Sequence, residues 1–278
     1  MLTLSEIWIY PVKSLGGIRV DCAKVLGKGL EYDRRYMLVD ENHQFMTQRF
    51  MPEMARFKLA FGVDNFRISH NEDTLEIPKS FEGKGGGGNY SIWSDRIQGF
   101  ELGEKFNAWF SEKLNLKCKL IYFPEDSARM VDQNYAVGGE QVSLADGYPF
   151  LIIGQSSVDD LNRRLDEAVP MNRFRPNFVF KGGAPYEEDS WRNFKIGANR
   201  FTGVKQCARC VLTTVNQETA TTGVEPLATL ATYRKTGSKV NFGQNLIAVD
   251  QNEVQEGDEI TIQSFQELVN KIENENHE

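Results

Sequence analysis

Hydrophobic and polar residues alternate with the two-residue period of β-strands over much of the chain. In the first third, this pattern covers residues 7–9, 18–22, 36–40, 44–49 and 57–61. Turn sequences such as DENH and HNED separate these segments at hairpin spacing, which predicts an antiparallel barrel or curled sheet. Further along the chain, the predicted strands are CKLIYF, FLIIG, NFVFKG, VLTTV, NLIAV and EITI.

Three segments show the helical spacing of apolar residues instead. The first spans 106–114, where the apolar side chains on one face are expected to cover the sheet. The second spans 156–165 and begins with Ser156 and Asp159 in the pattern of a capping box. The third is predicted over 226–233, with a proline at its start where a missing amide proton costs nothing.

Two further segments lack such periodicity. The sequence GKGGGGN at 83–89 has no side chains to pack and lacks the Lys-Ser/Thr ending of a P-loop, so it is predicted to be a flexible surface loop. The segment from Phe265 onward is short, polar and acidic, and is expected to form a frayed helix.

Composition limits the classes of function. The 278 residues are 40% hydrophobic with a mean hydropathy of -0.45, as expected for a soluble globular protein of one large or two small domains. The net charge of -7 argues against binding to nucleic acids or anionic membranes, because the summed field repels polyanions. The first residues lack a basic leader, and no apolar run reaches the ~18 residues that span a bilayer, so we expect a cytoplasmic protein.

Two of the four cysteines, Cys207 and Cys210, are spaced for chemistry in the sequence CARC. A structural zinc site would need a second pair of ligands, and a thioredoxin-like dithiol should precede a helix, whereas VLTTV predicts a strand. Both are less favoured than a thiolate stabilised by cations such as Arg209, which suits a soft metal or a nucleophile. The alternative is a buried free cysteine that packs as a small hydrophobic residue.

Basic residues recur beside prolines, glycines and turns. They are Lys13, Arg34, Arg35, Arg49, Arg173 and Arg175. Each alone is typical of a solvated surface charge. If several converge at strand ends, they form a phosphate-sized anion site, because a guanidinium group matches phosphate oxygens bidentately.

Asp146 is the one acidic candidate, in the sequence LADGYPFLII just before an apolar strand. An aspartate at such a position either forms a turn or assists proton transfer. The sequence shows no Ser-His-Asp set and no Rossmann fingerprint. A triad hydrolase and direct nicotinamide binding are therefore not indicated.

A set of motifs occurs in one order along residues 1–264. They are IYPVKSLGG, GLEYDRRYMLVD, MTQR, FRPNFVF, YEEDSW, CARCVLTTV, EPLATL, NFGQN and GDEI. Together they resemble the MOSC proteins, the group named for the C-terminal domain of molybdenum-cofactor sulfurases, with the associated β-barrel region in front. Within that group the chain is most similar to the amidoxime-reducing enzymes of mitochondria and their bacterial relatives, which reduce N-hydroxylated bases at a molybdopterin-bound molybdenum.

The resemblance implies roles for individual residues. Cys210, the second cysteine of CARC, matches the molybdenum ligand, and Asp146 matches an acidic residue beside the metal that would relay protons. Gly147 and Tyr148 replace small hydroxyl residues at that point, a departure that bears on substrate preference. The residues implied to hold the pterin and its phosphate are Lys13, Ser14, Arg34, Arg175, Asn177, Ala208, Arg209 and Gln244.

The strand pattern and the resemblance together predict a mainly β (α+β) protein with peripheral helices. The expected division is a MOSC N-terminal barrel-like region over 1–122, a MOSC β-barrel core over 123–264 and an acidic tail over 265–278. The expected function is reduction of an N-hydroxylated small molecule with a molybdenum-molybdopterin cofactor. Electrons would come from a separate ferredoxin, flavoprotein or cytochrome, because the sequence has no flavin, haem or iron-sulfur motif. The alternative is a sulfur carrier or transferase with a persulfide on Cys210.

Overall fold

The structure is a computed structural model and describes residues 1–81, 87–136 and 138–266. In this part the chain is mainly β, with three α-helices at its periphery. The strands are β1 (Leu2–Ile9), β2 (Ile18–Val20), β3 (Cys22–Leu26), β4 (Gly29–Leu30), β5 (Tyr36–Val39), β6 (Lys58–Phe61), β7 (Asn65–His70), β8 (Asp73–Pro78), β9 (Gly87–Ile92), β10 (Asp95–Glu101), β11 (Lys119–Tyr122), β12 (Phe150–Gly154), β13 (Phe178–Lys181), β14 (Trp191–Ile196), β15 (Asn199–Arg209), β16 (Lys235–Thr236), β17 (Lys239–Ala248), β18 (Glu253–Gln255) and β19 (Glu259–Phe265). The helices are α1 (Glu104–Leu114), α2 (Gln155–Asn162) and α3 (Leu227–Tyr233).

Seven strands form a closed barrel in the order β12, β13, β1, β19, β14, β15 and β17, and β17 pairs with β12 to close it. The first strand of the chain thus lies between strands of the second half, antiparallel to both β13 and β19. The rings of Phe150, Phe178 and Phe201 contact one another in the core, with centroids 5.5–5.7 Å apart. Burial of such aromatic side chains is a main source of stability for a barrel of this kind.

Smaller sheets adjoin the barrel. One has the order β5, β11, β10 and β9, a second the order β6, β7 and β8, and a third joins β3 to β18 and β4. Helix α1 packs beside these sheets through the aromatic side chains Trp109 and Phe110. Their ring centroids lie 5.7 and 5.5 Å from the ring centroid of Phe57. Because β18 pairs with β3, residues from the two ends of the chain share one small sheet.

Most of the predicted elements are confirmed. The segments YMLVD, CKLIYF, FLIIG, NFVFKG, NLIAV and EITI contain β5, β11, β12, β13, part of β17 and part of β19. Helix α1 matches the predicted helix over 106–114 and α3 matches that over 226–233, with Pro226 at its N-cap. Among residues 1–81, 87–136 and 138–266, no helix combines the length and the apolar composition needed to cross a bilayer.

Two predicted strands are wrong. In QFMTQR, Gln44 and Phe45 form single bridges to Ser91 and Val39, and residues 48–50 form a turn. The sequence VLTTV begins with a 3-10 turn, Val211–Thr214, instead of a strand.

The cause of the second error is local. The hydroxyls of Thr213 and Thr214 donate to the carbonyl oxygens of Cys210 and Val211, three residues back, which favours a tight turn over an extended strand. Because Cys210 is followed by a 3-10 turn and not by a strand, the local structure does not disfavour a dithiol at Cys207 and Cys210.

Three boundaries also differ from prediction. Helix α2 spans Gln155–Asn162 and has Gly154 at its N-cap, without a side-chain cap, because the helix begins directly after β12 and the predicted cap residue Ser156 lies inside it. In the glycine-rich segment, residues 87–89 begin β9, since pairing with β10 supplies the hydrogen bonds that a loop would lack, and residues 82–86 lie outside the described part. Phe265 ends β19, and the predicted frayed helix beyond it falls largely on residues 267–278, which are also outside it.

Candidate cofactor site

A pocket of about 410 Å³ gathers most of the residues that the sequence singled out. Nine of the ten predicted site residues line it, although they come from distant parts of the chain. They are Lys13, Ser14, Arg34, Asp146, Arg175, Asn177, Ala208, Arg209 and Cys210. A single pocket of this size is typical of a site for a small molecule or cofactor.

Gln244 is the exception. Its side chain is fully buried and forms no hydrogen bond within the described part of the chain, and Asn245 lines the pocket in its place. A Cβ atom on Gly203 would lie 2.9 Å from Gln244 Nε2, which places the amide against β15. Successive side chains of a strand point to opposite faces, so the one-residue difference decides which of the two reaches the pocket.

The end of β15 contributes five consecutive residues, 205–209, to the pocket wall. A regular strand would present only every second side chain to one face. The pairing of β15 with β17 shifts register twice, between Gly203 and Lys205 and between Gln206 and Ala208. Such bulges re-aim side chains beside a site, and here they account for Gln206 and Ala208 lining the same cavity as Lys205, Cys207 and Arg209.

The pocket is strongly cationic in an acidic protein. Among the described residues, its lining includes six cationic side chains and one carboxylate. The cations are Lys13, Arg34, Arg49, Arg175, Lys205 and Arg209, and the carboxylate is Asp146. Two other basic residues from the predicted cluster lie elsewhere: Arg35 pairs with Glu125, and Arg173 donates to the Thr213 carbonyl oxygen.

Tyr10 brings the two predicted phosphate-binding arginines together. The guanidinium carbons of Arg34 and Arg175 lie 4.5 and 4.2 Å from the centroid of its ring. Asp33 accepts a hydrogen bond from Arg34 Nη1 at 2.6 Å, and the Leu15 carbonyl oxygen accepts one from Arg175 Nη1 at 2.7 Å. Burial lowers the pKa of Arg175 to about 10, which shows how costly its charge is without an anion beside it.

The backbone at these positions is strained. Ser14, Arg34 and Arg175 have φ angles of 66°, 52° and 54°, in the left-handed region that non-glycine residues rarely adopt. Trp93, at the turn between β9 and β10, has a φ of 54° and also lines the pocket. Strained residues persist only when the surrounding fold determines them, and they are concentrated at functional sites.

Lys13 and Asp146 form the most direct ion pair in the pocket, with Nζ and Oδ1 2.5 Å apart. Burial lowers the pKa of Lys13 to about 8, although the carboxylate opposes this effect. Burial also raises the pKa of Asp146, but Lys13 and Arg49 outweigh it and hold that pKa well below its usual range. The two partners differ because the Lys13 side chain is 6% exposed while that of Asp146 is 57% exposed to the open pocket.

Other residues hold the Asp146 loop in place. Buried Arg129 donates to the carbonyl oxygens of Ser143, Ala145 and Asp146, and its Nε donates to Asp95 Oδ2 at 2.7 Å. Asp95 begins β10, so this guanidinium group connects the loop to the β9–β10 hairpin. The carbonyl oxygens would be left without donors if Arg129 were removed, which costs more than the hydrogen bonds themselves contribute.

The two cysteines occupy different environments at the end of β15. Arg209 Nη1 donates to the Cys207 sulfur at 3.0 Å, and Nη2 donates to the Phe174 carbonyl oxygen at 2.7 Å. Cys210 follows the strand and precedes the 3-10 turn, with its carbonyl oxygen accepting from the Thr213 amide and hydroxyl. Within the described residues the Cys210 sulfur has no hydrogen-bond partner, so it is the thiol left for a ligand.

The donor set fits a molybdopterin cofactor. Arg175 Nη2 and the Nε atoms of Arg49 and Arg209 are buried without a hydrogen-bond acceptor in the described part, and these donors suit an anionic ligand. In the same part, no group of three or more His, Cys, Asp or Glu side chains converges to hold a bare metal ion. A single sulfur ligand, for which Cys210 is available, would be sufficient for a metal that an organic cofactor already carries.

Sequence reasoning assigned no site role to several residues in the lining, including Thr47, Arg49, Trp93 and Lys205. Arg49 was part of the basic cluster, and its guanidinium carbon lies 4.2 Å from the centroid of the Trp93 ring. Trp93 Nε1 in turn donates to Asp146 Oδ1 at 3.3 Å. A tryptophan in a hairpin turn was the available sequence signal, because an exposed turn is an unusual place for such a side chain.

Comparison with known proteins gives consistent matches. Residues 139–261 match the MOSC domain, and residues 1–117 match the MOSC N-terminal beta barrel domain. Mitochondrial amidoxime-reducing component 1 of Mus musculus is 34% identical over 243 residues, which cover 84% of this chain and 71% of that protein. The molybdenum cofactor sulfurase of Arabidopsis thaliana is 32% identical and covers 86% of this chain, but the chain spans only 32% of the sulfurase. Among solved structures, the YuaD protein of Bacillus subtilis covers 96% of this chain at 9% identity, with a TM-score of 0.44.

Proposed function

Since this chain belongs to the MOSC family, we propose that it is an oxidoreductase that uses a molybdenum-molybdopterin cofactor to reduce N-hydroxylated small molecules. The observation that carries the proposal is the convergence of Cys210 with buried, unpartnered guanidinium donors in one cationic pocket. Relatives of this family include amidoxime-reducing components and molybdenum cofactor sulfurases, so the family alone does not choose between reduction and sulfur transfer.

Different pocket residues bind different parts of the cofactor. Arg34 and Arg175 neutralise the pterin phosphate, and Asn177 fixes their surroundings by accepting from the Leu151 amide and donating to the Trp8 carbonyl oxygen. Cys210 provides a soft thiolate ligand for the metal. When bound, the cofactor supplies oxygen-atom acceptance and two-electron redox chemistry, and the protein positions and tunes it.

Protons for the reduction are held at the Lys13–Asp146 pair. The pKa of the carboxylate lies well below its usual range, so Asp146 is ionised near neutral pH and carries no proton to donate. Lys13 has a pKa of about 8 and holds a proton at Nζ. A relay through this pair therefore starts at the Lys13 ammonium group, with Asp146 fixing its position and accepting its hydrogen bond.

Electrons must come from a separate protein in this account, because the sequence has no fingerprint for flavin, nicotinamide, haem or an iron-sulfur cluster. The donor would be of the ferredoxin, flavoprotein or cytochrome type. Such redox encounters are typically small and electrostatically steered, so activity with the true donor should fall as the salt concentration rises.

The test is an assay of the purified chain with benzamidoxime. We expect reduction when reduced viologen is the electron source and no useful oxidation of NADH or NADPH by the chain alone. Turnover driven by NADPH without any added carrier would contradict the proposal. A fully molybdenum-loaded protein that is inactive with every strong donor would contradict it as well.

A second function, sulfur transfer, is favoured by one observation. Arg209 donates to the sulfur of Cys207, so a second thiol lies with Cys210 at the same pocket and could accept or pass on sulfur. In that case Cys210 would carry a persulfide, and intact-mass analysis would find one additional sulfur atom that a reducing agent removes. A metal-free chain with this modification would favour the carrier over the reductase.

A further inference from the structure

The pocket has an inner half and an outer half that differ in exposure. The inner half contains Arg175, Asn177 and Lys13, which are 8%, 1% and 5% exposed. The outer half includes Trp93, which is 38% exposed, and the Asp146 side chain, which is 57% exposed. Because the buried donors suit the cofactor, the outer half is where a second, smaller molecule would meet it.

Trp93 provides an aromatic wall in the outer half. The guanidinium carbon of Arg49 lies 4.2 Å and Lys13 Nζ lies 6.0 Å from the centroid of its ring, the ring of Phe45 contacts it edge-on with centroids 4.6 Å apart, and its Nε1 donates to Asp146. These contacts hold the side chain in place, so it loses little conformational entropy when a ligand binds. The part of Trp93 that stays exposed is available for contact with an aromatic ring of the ligand.

Lys205 is the cation of the outer half that no carboxylate neutralises. Its Nζ lies 4.0 Å from the ring centroid of Tyr135, and within the described residues it has no hydrogen bond and no ion pair. Tyr135 contacts Tyr148 with ring centroids 6.5 Å apart, and the Tyr148 hydroxyl is buried without a hydrogen-bond partner. Tyr148 also lines the pocket, so this wall offers a ligand a cation beside aromatic rings.

Three neighbouring cations have carboxylate partners. Lys13 and Arg49 share the carboxylate of Asp146, and Arg34 pairs with Asp33. Arg175 and Arg209 lack a carboxylate partner but donate to the carbonyl oxygens of Leu15 and Phe174. Within the described residues, Lys205 thus has neither a carboxylate nor a hydrogen-bond partner, and a negative group on a substrate would be attracted there. Charges that face a partly enclosed pocket attract anions more strongly than charges on an open surface.

We propose that the outer half of the pocket is a subsite for planar, aromatic N-hydroxylated compounds that carry an anionic group. Trp93 provides an aromatic contact, and Lys205 binds the anion. This inference rests on the proposed function, which it deepens by naming the class of substrate.

The experiment compares three probes: benzamidoxime, its para-carboxylate and its para-aminomethyl derivative. Binding to the purified full-length chain is measured by calorimetry at low salt, together with molybdenum content, and KM is measured with reduced viologen. We expect the carboxylate to bind about three- to tenfold more tightly than benzamidoxime, and the aminomethyl compound to bind more weakly. The preference should shrink as salt rises.

The matched variants are Lys205→Met in the outer half and Lys195→Met, an exposed lysine on the adjacent strand β14. Lys205→Met should reduce the ratio of affinities to near one without changing molybdenum content, and Lys195→Met should leave the ratio as it is. An equal affinity for all three probes would overturn the inference. So would a preference that survives in Lys205→Met, or a loss of molybdenum in that variant, which would assign Lys205 to the cofactor.

Failure of the inference and failure of the proposed function give different results. If the chain reduces all three probes with equal KM, the reductase stands and the anionic subsite is refuted. If no probe is reduced but the carboxylate still binds preferentially and depends on Lys205, the subsite is supported and the reductase is refuted.

Discussion

Lys13 and Asp146 are joined by an ion pair of 2.5 Å although 133 positions separate them in the sequence. Lys13 lies in the part of the chain that matches the MOSC N-terminal beta barrel domain, and Asp146 lies in the part that matches the MOSC domain. The site therefore forms only when both regions assemble. Its preorganisation depends on the barrel that threads β1 between strands of the second half.

The first prediction concerns pH. Burial sets the pKa of Lys13 at about 8, so the ammonium group is lost as the pH rises through that value, and activity should fall there. Asp146→Asn removes the carboxylate that raises this pKa, so the falling limb should move to lower pH. The measurement is kcat/KM for benzamidoxime across the pH range, with Asp250→Asn as a control at a surface ion pair far from the pocket lining. A profile whose falling limb is the same in Asp146→Asn would contradict the pairing.

The second prediction concerns the two arginines proposed to bind the pterin phosphate. Arg34→Ala and Arg175→Ala should lower cofactor content while leaving turnover per bound molybdenum unchanged, because the proposed partner of these groups is the phosphate and not the reacting atom. A lost charge-assisted hydrogen bond corresponds to about 1.5 to 3 kcal/mol, or roughly ten- to a hundredfold in affinity. Titration of molybdenum against activity measures both quantities. Arg200→Ala, which breaks an exposed pair with Asp250, is the matched control, and unchanged occupancy in both pocket variants would refute the assignment.

The third prediction separates the two cysteines. Cys210→Ala should abolish molybdenum-dependent activity and leave the fold intact, because the change removes a ligand and little core volume. Cys207→Ser should have a much smaller effect, since that sulfur already accepts from Arg209. Circular dichroism checks the fold, and steady-state kinetics with viologen compares the variants. Equal inactivity of two folded variants would indicate a dithiol mechanism.

A fourth prediction concerns stability and a carboxyl group away from the pocket. Glu188 is fully buried, and burial together with Asp189 raises its pKa to about 7 from an ordinary value of 4.5. Its oxygens accept from the Gly154 amide at 3.1 Å and from the Ser157 hydroxyl at 2.9 and 3.0 Å. The folded state therefore binds more protons than the unfolded state between those two pH values.

For a carboxyl group with a raised folded pKa, stability is fully present below the unfolded pKa and is lost as the pH rises through the folded pKa. The free energy of unfolding of the wild type should fall by about 3 kcal/mol relative to Glu188→Gln between about pH 4.5 and about pH 7, since one pKa unit corresponds to about 1.4 kcal/mol. Urea unfolding at several pH values measures the difference. A constant difference between wild type and variant would show that Glu188 titrates normally.

The sequence predicted those elements whose apolar pattern was clear. Helix α1 follows from the helical spacing of its apolar residues, and strands such as FLIIG and NFVFKG follow from short continuous apolar runs that are buried on both faces. The strand predicted for VLTTV was wrong because the β-branched composition favours a strand, while the threonine hydroxyls form hydrogen bonds within a tight turn. Helix α2 lacks its predicted cap because it begins at Gln155, one residue earlier than expected, which places Ser156 inside the helix.

The site was partly accessible from the sequence for similar reasons. Motif matches singled out Cys210, Arg34 and Arg175, and the structure brings all three to one pocket. Lys205 was missed because no motif contains it, and a lysine on a strand is typical of a solvated surface charge. Gln244 was predicted to line the pocket, but its neighbour Asn245 does so, because a shift of one residue along a strand reverses the side that faces the cavity.

The most direct test of the account is the molybdenum and pterin content of the full-length chain, purified from molybdenum-replete cells, beside that of the Arg175→Ala variant. The account predicts that the wild type contains stoichiometric molybdenum with molybdopterin, and that the variant contains roughly ten- to a hundredfold less at limiting cofactor. A folded wild-type chain that takes up neither molybdenum nor pterin under these conditions would contradict the account.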